Sequence, residues 1–240
     1  MSEVADFLTG SDSTLLLIAD HASAYVPPDI DLRIDPGLLG QHVAVDIGAD
    51  ALSRDLARRL NCPAIIAAVS RLVVDLNRGS EEPHAIPIAS DGHAVPGNAD
   101  LGHEGRIARI ERYWNPYHSL IEEKIETLGP KMLVSLHSFT PALASRPEEE
   151  RPWQVGILYN QDERAARLAI DALREAGIPT GDNQPYSGKV LNTTMNLHAE
   201  SRRLPYLGIE VRQDLISDRD GIARWVENLA PIILRVCDAV

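Results

Sequence analysis

The stretch TLLLIADHASAYVPP, residues 14–28, sets five consecutive apolar residues, Leu15 to Ala19, directly before Asp20 and His21. A short apolar run closed by a small-residue turn and a Pro pair reads as a strand buried on both faces. Such strands belong to parallel sheets covered by helices, and in those sheets ligands gather beyond the strands' carboxyl ends. Asp20 and His21 stand at that position.

The pattern repeats along the chain. Strands are predicted at Thr14–Ala19, Ala64–Val69, Arg71–Leu76, Lys131–Leu136, Gln154–Tyr159 and Tyr206–Val211. Between them fall longer-period stripes: Val45, Ala49, Leu52, Leu56 and Leu60; Ile107, Ile110, Trp114 and Tyr117; and helical patterns from about Asp162 to Ala176 and about Asp218 to Val236. Strand and helix alternate, which predicts an α/β fold: a single-domain, three-layer sandwich around a mainly parallel mixed sheet. Two irregular stretches interrupt the one domain spanning residues 1–240. The Pro- and Gly-rich segment at about 79–103 reads as a structureless lid or binding loop, and about 177–194 as a second wall.

Composition narrows the partners. The chain has 240 residues and a net charge of −12, with a pI near 5.1. That balance argues against nucleic acid or an anionic membrane surface, while leaving room for a local basic pocket that binds a small anion. No run approaches the roughly 20 apolar residues of a membrane helix, and the N-terminus has no signal-peptide pattern, so a soluble cytoplasmic protein is expected. Cys62 and Cys237 form no metal-ligand spacing. Any metal must therefore use histidine and carboxylate.

Three predicted strands lead into chemically useful residues: the first into Asp20 and His21, the fourth into His137 and Ser138, the last into Glu210. Taken singly, each histidine reads as a hydrogen-bonded structural residue. Converging at one sheet edge, two imidazoles and carboxylates suit Zn²⁺ or another divalent metal with a position left for water. Asp20 either orients an imidazole from behind or caps the following turn.

The segment SRLVVDLNRGS, residues 70–80, has a separate logic. In a strand, Leu72, Val74 and Leu76 share one face and Arg71, Asp75 and Asn77 the other. An interior Arg71 needs an anion, either Asp75 or a ligand carboxylate. In a straight strand Arg71 and Asn77 would lie roughly 20 Å apart, so joint binding of one small ligand requires a bend.

The ordered set DHAS…P, HVAVDIGA, SRLVVDLNR, RYWNPYH, SLHSFTP and NLHAESRRLPYLGIEVRQDLI resembles the N-formylglutamate amidohydrolase family from about residue 15 to 216. More distantly it is similar to aspartoacylases and zinc carboxypeptidases. The resemblance implies a phosphorylase/hydrolase-like, zinc exopeptidase-like fold and zinc-dependent hydrolysis of an amide on an acidic N-acyl amino acid, N-formyl-L-glutamate in the named family. By position it makes His21 and His137 metal ligands and Glu210 the general base. Arg71, Asn77 and Arg78 match the substrate-carboxylate clamp of the more distant relatives.

One departure is plain. Those relatives carry a His-x-x-Glu pair, and here Ala24 stands where the glutamate would be. The nearest replacement is Asp46, one turn after His42 on the stripe of the first helix, where an inward carboxylate needs a partner; its alternative is to cap a helix broken near Gly48. His198 is a candidate substrate contact, with Glu200 beside it. Tyr117 and His118 read as core residues, and His84, His93 and His103 as surface residues.

The expected chemistry is attack of water on the acyl carbon with Glu210 as base, the oxyanion stabilised by the metal and Arg71, and a substrate carboxylate held by Arg78 and Asn77. Two alternatives stand beside it: a carboxypeptidase or amidase acting on another N-acyl amino acid or short peptide, and a non-catalytic ligand-binding relative, motivated by Ala24.

Overall fold

The structure, a computed structural model, describes residues 4–240. Its elements in chain order begin with β1 (Ala5–Leu8), β2 (Leu15–Ala19), α1 (Ala49–Leu60) and β3 (Ala64–Ala67). There follow β4 (Ala89–Ser90), β5 (His93–Ala94), α2 (Pro96–Ala99), α3 (His103–Arg109), α4 (Asn115–Leu128) and β6 (Met132–Phe139). The last third contains β7 (Val155–Leu158), α5 (Arg164–Glu175), β8 (Thr180–Asp182), α6 (Thr193–His198), β9 (Tyr206–Arg212) and α7 (Arg219–Ala239).

Every residue of β2 is buried, on both faces, and so is every residue of β6. That pattern is what an inner strand with helices on either side requires. Seven strands form one sheet in the order β1-β3-β2-β6-β9-β7-β8. The pairs β2–β3, β2–β6 and β6–β9 are parallel, while β1 and β7 run antiparallel to their inner neighbours. Helices α1, α5 and α7 pack together on one side. The long helical stretch of α3 and α4 sends Tyr113, Tyr117 and Ile121 into the same core. Between α3 and α4 the chain widens into a π turn over Ile110–Trp114. Pro116 explains it: proline has no N–H to continue the ordinary ladder, and the Asn115 N–H reaches back to the Ile110 carbonyl instead.

Several expectations change. Residues 71–76 do not form a strand. Ser70 Oγ accepts the Leu72 N–H at 3.2 Å and the Ser70 carbonyl accepts that of Val73 at 2.9 Å, so the chain coils at once into turns. Leu72, Val73 and Val74 are all buried, without alternation. The first helix starts at Ala49, after Gly48 in the left-handed region (φ 81°), so His42 and Asp46 share no helix face. β6 runs on to Phe139, placing His137 inside the strand instead of beyond it. The lid segment is structured: it contains the β4–β5 hairpin and α2. Strands β1 and β8, short and at the sheet margins, had no sequence counterpart. Among the described residues no helix is long and apolar enough to cross a membrane.

Candidate active site

Register brings the principal groups together. In the parallel β6–β9 ladder His137 stands directly opposite Glu210, so their side chains leave the same face side by side. β2 pairs Ile18 with Ser135; the same register continued two residues sets Asp20 beside His137, and Asp20 Oδ2 lies 3.5 Å from His137 Nε2. His21 follows in the turn. Its carbonyl accepts the Asp46 N–H at 2.9 Å, stitching the segment before α1 to the end of β2.

Asp46 is the centre of the cluster. Its Oδ2 lies 2.9 Å from His137 Nδ1 and 3.5 Å from His21 Nδ1, and its Oδ1 accepts from Arg71 Nη1 at 3.1 Å. Both imidazoles thus turn Nδ1 toward one carboxylate oxygen. Both turn Nε2 outward to another acid: His21 to Asp75 Oδ1 at 2.8 Å, His137 to Asp20. Asp20 is in turn held by the Tyr117 hydroxyl, which donates to Oδ1 at 2.7 Å. Arg71 Nη2 donates to Asp75 Oδ2 at 3.2 Å, so this guanidinium bridges Asp46 and Asp75.

The charges follow from these neighbours. Burial alone would raise Asp46, but His21, His137 and Arg71 hold it well below the usual carboxylate range. Asp75 is lowered likewise, against its burial, by His21 and Arg71. Burial and Arg71 work against protonation of His21, yet Asp75 and Asp46 raise its pKa. Burial also opposes protonation of His137, and Asp20 and Asp46 reverse it strongly. Glu210 behaves differently. Burial pushes its carboxyl up to about 7, with Asp46 adding to the rise, and its Oε2 is buried without a hydrogen-bond partner.

This donor set suits a divalent cation. One ligand atom each from His21, Asp46 and His137 lie within 4.8 Å of one another, all three residues buried. Asp20, Asp46 and Asp75 surround the two imidazoles and hold protons on them. A dication could take the place of those protons between the inward nitrogens and Asp46, and imidazoles whose outer nitrogens face carboxylates are the usual form of histidine ligation.

The cluster floors a cavity of about 370 Å³, a size that takes a small molecule. Arg71, Asn77 and Arg78 all line it. The Asn77 amide oxygen accepts the Thr194 N–H at 3.0 Å. The Arg78 guanidinium has a carboxylate, Asp75, at 3.9 Å. Both irregular segments contribute walls: Ser90 and Asp91 from the first, Tyr186 and Asn192 from the second. His42 does not join Asp46; its Nε2 lies 2.8 Å from Asp91 Oδ2. The structure does not bring His198 to this cavity. It stands behind, its Nε2 2.8 Å from His118 Nδ1, while Glu200 accepts from Gln161, Asp162 and Tyr206. His84 and His103 are exposed and His93 is partly so.

Two contacts escaped the sequence. Asp75 was legible only as a mate for Arg71, because His21 lies 54 positions away. Tyr186 sat unremarked in the second loop, though an aromatic among Pro, Gly and Ser was a signal that it packs on something.

Paired imidazoles and a buried carboxylate without a hydrogen-bond partner, at the carboxyl edge of a mainly parallel sheet, are groups that suit a hydrolase. Comparison with known proteins specifies it further: the chain belongs to the N-formylglutamate amidohydrolase family, whose profile matches residues 13–217. It is an amidohydrolase. A gene product of Agrobacterium tumefaciens is similar in structure with a TM-score of 0.91 and 30% identity, over 99% of this chain and 96% of that one. The N-formylglutamate amidohydrolase of Ralstonia eutropha JMP134 shares the fold with a TM-score of 0.73 and 21% identity, over 99% and 98% of the two chains. No curated protein matches the sequence.

Proposed function

We propose that this chain hydrolyses the amide of an N-acyl acidic amino acid, with N-formyl-L-glutamate as substrate and L-glutamate and formate as products. The observation that carries this reading is Glu210: a buried, unpartnered carboxylate with a pKa pushed up to about 7, one strand away from His137. A base poised near neutrality can take a proton from water and return it.

His21, Asp46 and His137 would hold the metal, and zinc suits two imidazoles and one carboxylate with a position left open. When bound, the ion supplies Lewis acidity toward the carbonyl and acidifies water. The chain's own groups do the rest. Glu210 accepts the proton as the water oxygen bonds to the acyl carbon; when the C–N bond breaks, that proton goes to the departing amine. Asp20 and Asp75 fix the imidazoles from behind, and Arg71 keeps Asp46 and Asp75 in place. Arg78 and the Asn77 NH₂ take a substrate carboxylate, which lets a protein of charge −12 bind an anion. A small acidic substrate in the cytoplasm is the setting this reading assumes.

The test is Glu210→Gln in zinc-loaded protein, assayed on N-formyl-L-glutamate beside other N-acyl amino acids and dipeptides. Turnover should fall by about 10²- to 10⁴-fold with metal content unchanged. Full activity of the variant would remove Glu210 from the mechanism, and preference for dipeptides would reassign the substrate.

A further inference from the structure

Arg71 was the natural donor to the oxyanion, yet both of its terminal nitrogens are engaged by Asp46 and Asp75. Another group that lines the cavity is better placed to donate. The Tyr186 hydroxyl accepts a hydrogen bond from Arg151 Nη1 at 3.1 Å, and among the described residues no acceptor takes its own proton. Burial raises the Tyr186 pKa, so the phenol keeps that proton at neutral pH, and its hydroxyl lies within electrostatic reach of Glu210 and Arg71.

Arg151 is unusual in itself. Its side chain is only 1% exposed, and its nearest carboxylate is Glu149 Oε1 at 3.7 Å. Nη1 also donates to the Thr140 carbonyl at 3.1 Å, and the guanidinium lies 5.0 Å from the centre of the Tyr186 ring. Nε and Nη2 have no hydrogen-bond partner. A buried cation so thinly paired is costly unless its charge is used. The loop carrying Tyr186 is also seated firmly: a β-carbon at Gly156 in β7 or Gly181 in β8 would collide with the Gln184 carbonyl.

We propose that Tyr186 is a catalytic residue that donates its O–H to the oxygen of the scissile acyl group as negative charge develops there, and that Arg151 is its positioning residue. The Arg151 Nη1–H group occupies a lone pair of the phenol oxygen and leaves the phenol proton to turn into the cavity. No covalent step is added; one hydrogen bond strengthens as the carbonyl becomes tetrahedral. This inference rests on the amidohydrolase reading above.

Two ligands separate the roles of Tyr186 in zinc-loaded protein: L-glutamate, which has the carboxylates and amine but no acyl oxygen, and the phosphonamidate analogue of N-formyl-L-glutamate, which mimics the tetrahedral oxyanion. Tyr186→Phe should lower kcat by about 10²-fold with KM nearly unchanged. It should weaken the phosphonamidate by a similar factor and leave L-glutamate binding as in the wild type. Arg151→Met should lower kcat in the same direction, Arg151→Lys should restore part of it, and Tyr186→Phe/Arg151→Met should be no worse than Tyr186→Phe. Unchanged kcat in Tyr186→Phe overturns the inference even if Arg151→Met fails to fold. Equal weakening of both ligands also overturns it, by making Tyr186 a carboxylate contact. A wild type that turns over no N-acyl amino acid and binds neither ligand overturns the underlying reading as well, which distinguishes the two failures.

Discussion

The molecule contains two pairs of buried histidines. His21 and His137 have ring centres 5.0 Å apart; His118 and His198 have theirs 5.1 Å apart. All four are within a few per cent of complete burial, yet the pairs differ in the charge they favour. The first pair is ringed by Asp20, Asp46 and Asp75, which raise both pKa values against the burial that opposes them. The second meets the Leu76 carbonyl at 3.0 Å and the Trp114 ring. There burial dominates, lowering His118 and taking His198 down to about 3, with His118 and Arg202 adding to the effect. Burial of a histidine says nothing of its role. The groups around its outer nitrogens decide.

The sharpest way to break this contrast is to remove a member of each pair. His137→Ala should release bound zinc and bring hydrolysis to background, whereas His198→Ala should keep near-equimolar zinc by elemental analysis. Retention of metal by the first variant, or its loss from the second, would erase the distinction. A smaller change tests the outer carboxylates alone. Asp75→Asn leaves every proposed ligand in place but takes the charge from behind His21, and zinc affinity by competition with a chelator should drop about 10- to 100-fold.

The least effect concerns the second pair's stability. His198 has a folded-state pKa near 3 against about 6.5 for an unfolded histidine. The unfolded chain therefore binds more protons across that interval, and this contribution to stability is present above about pH 6.5 and lost as pH falls toward 3. The melting temperature of the metal-free protein should decline less steeply with acid in His198→Asn than in the wild type. Identical slopes would mean that His198 titrates as it does in water.

Much of the frame was legible because buried parallel strands are nearly continuous apolar runs, as in Leu15–Ala19 and Tyr206–Val211. Residues 71–76 imitated one: Leu72, Val74 and Leu76 alternate in the sequence, but turns can be as deeply buried as strands, and Ser70 diverts the local N–H groups. Asp20 shows a second limit. It adjoins His21 in the chain and serves His137 instead, because the β2–β6 register sets it beside that residue while His21, in the turn after β2, faces Asp46 and Asp75. His21, His137 and Glu210 could be singled out one strand at a time. Asp75 and Tyr186 could not, since their contacts depend on how distant loops return to the sheet.

The His137–Glu210 register pair has a consequence for how such a chain can change. Two adjacent strands hold the backbones of the proposed base and a proposed metal ligand about 4.8 Å apart, the ladder spacing, so this relation is as stiff as the sheet. The cavity walls come from loops anchored elsewhere. Insertions or exchanges in those loops can redirect substrate choice while the His137–Glu210 pair stays in place, whereas a one-residue slip between β6 and β9 would send one of the two to the opposite face. Selection on specificity and selection on chemical competence can therefore act on separate parts of one small protein.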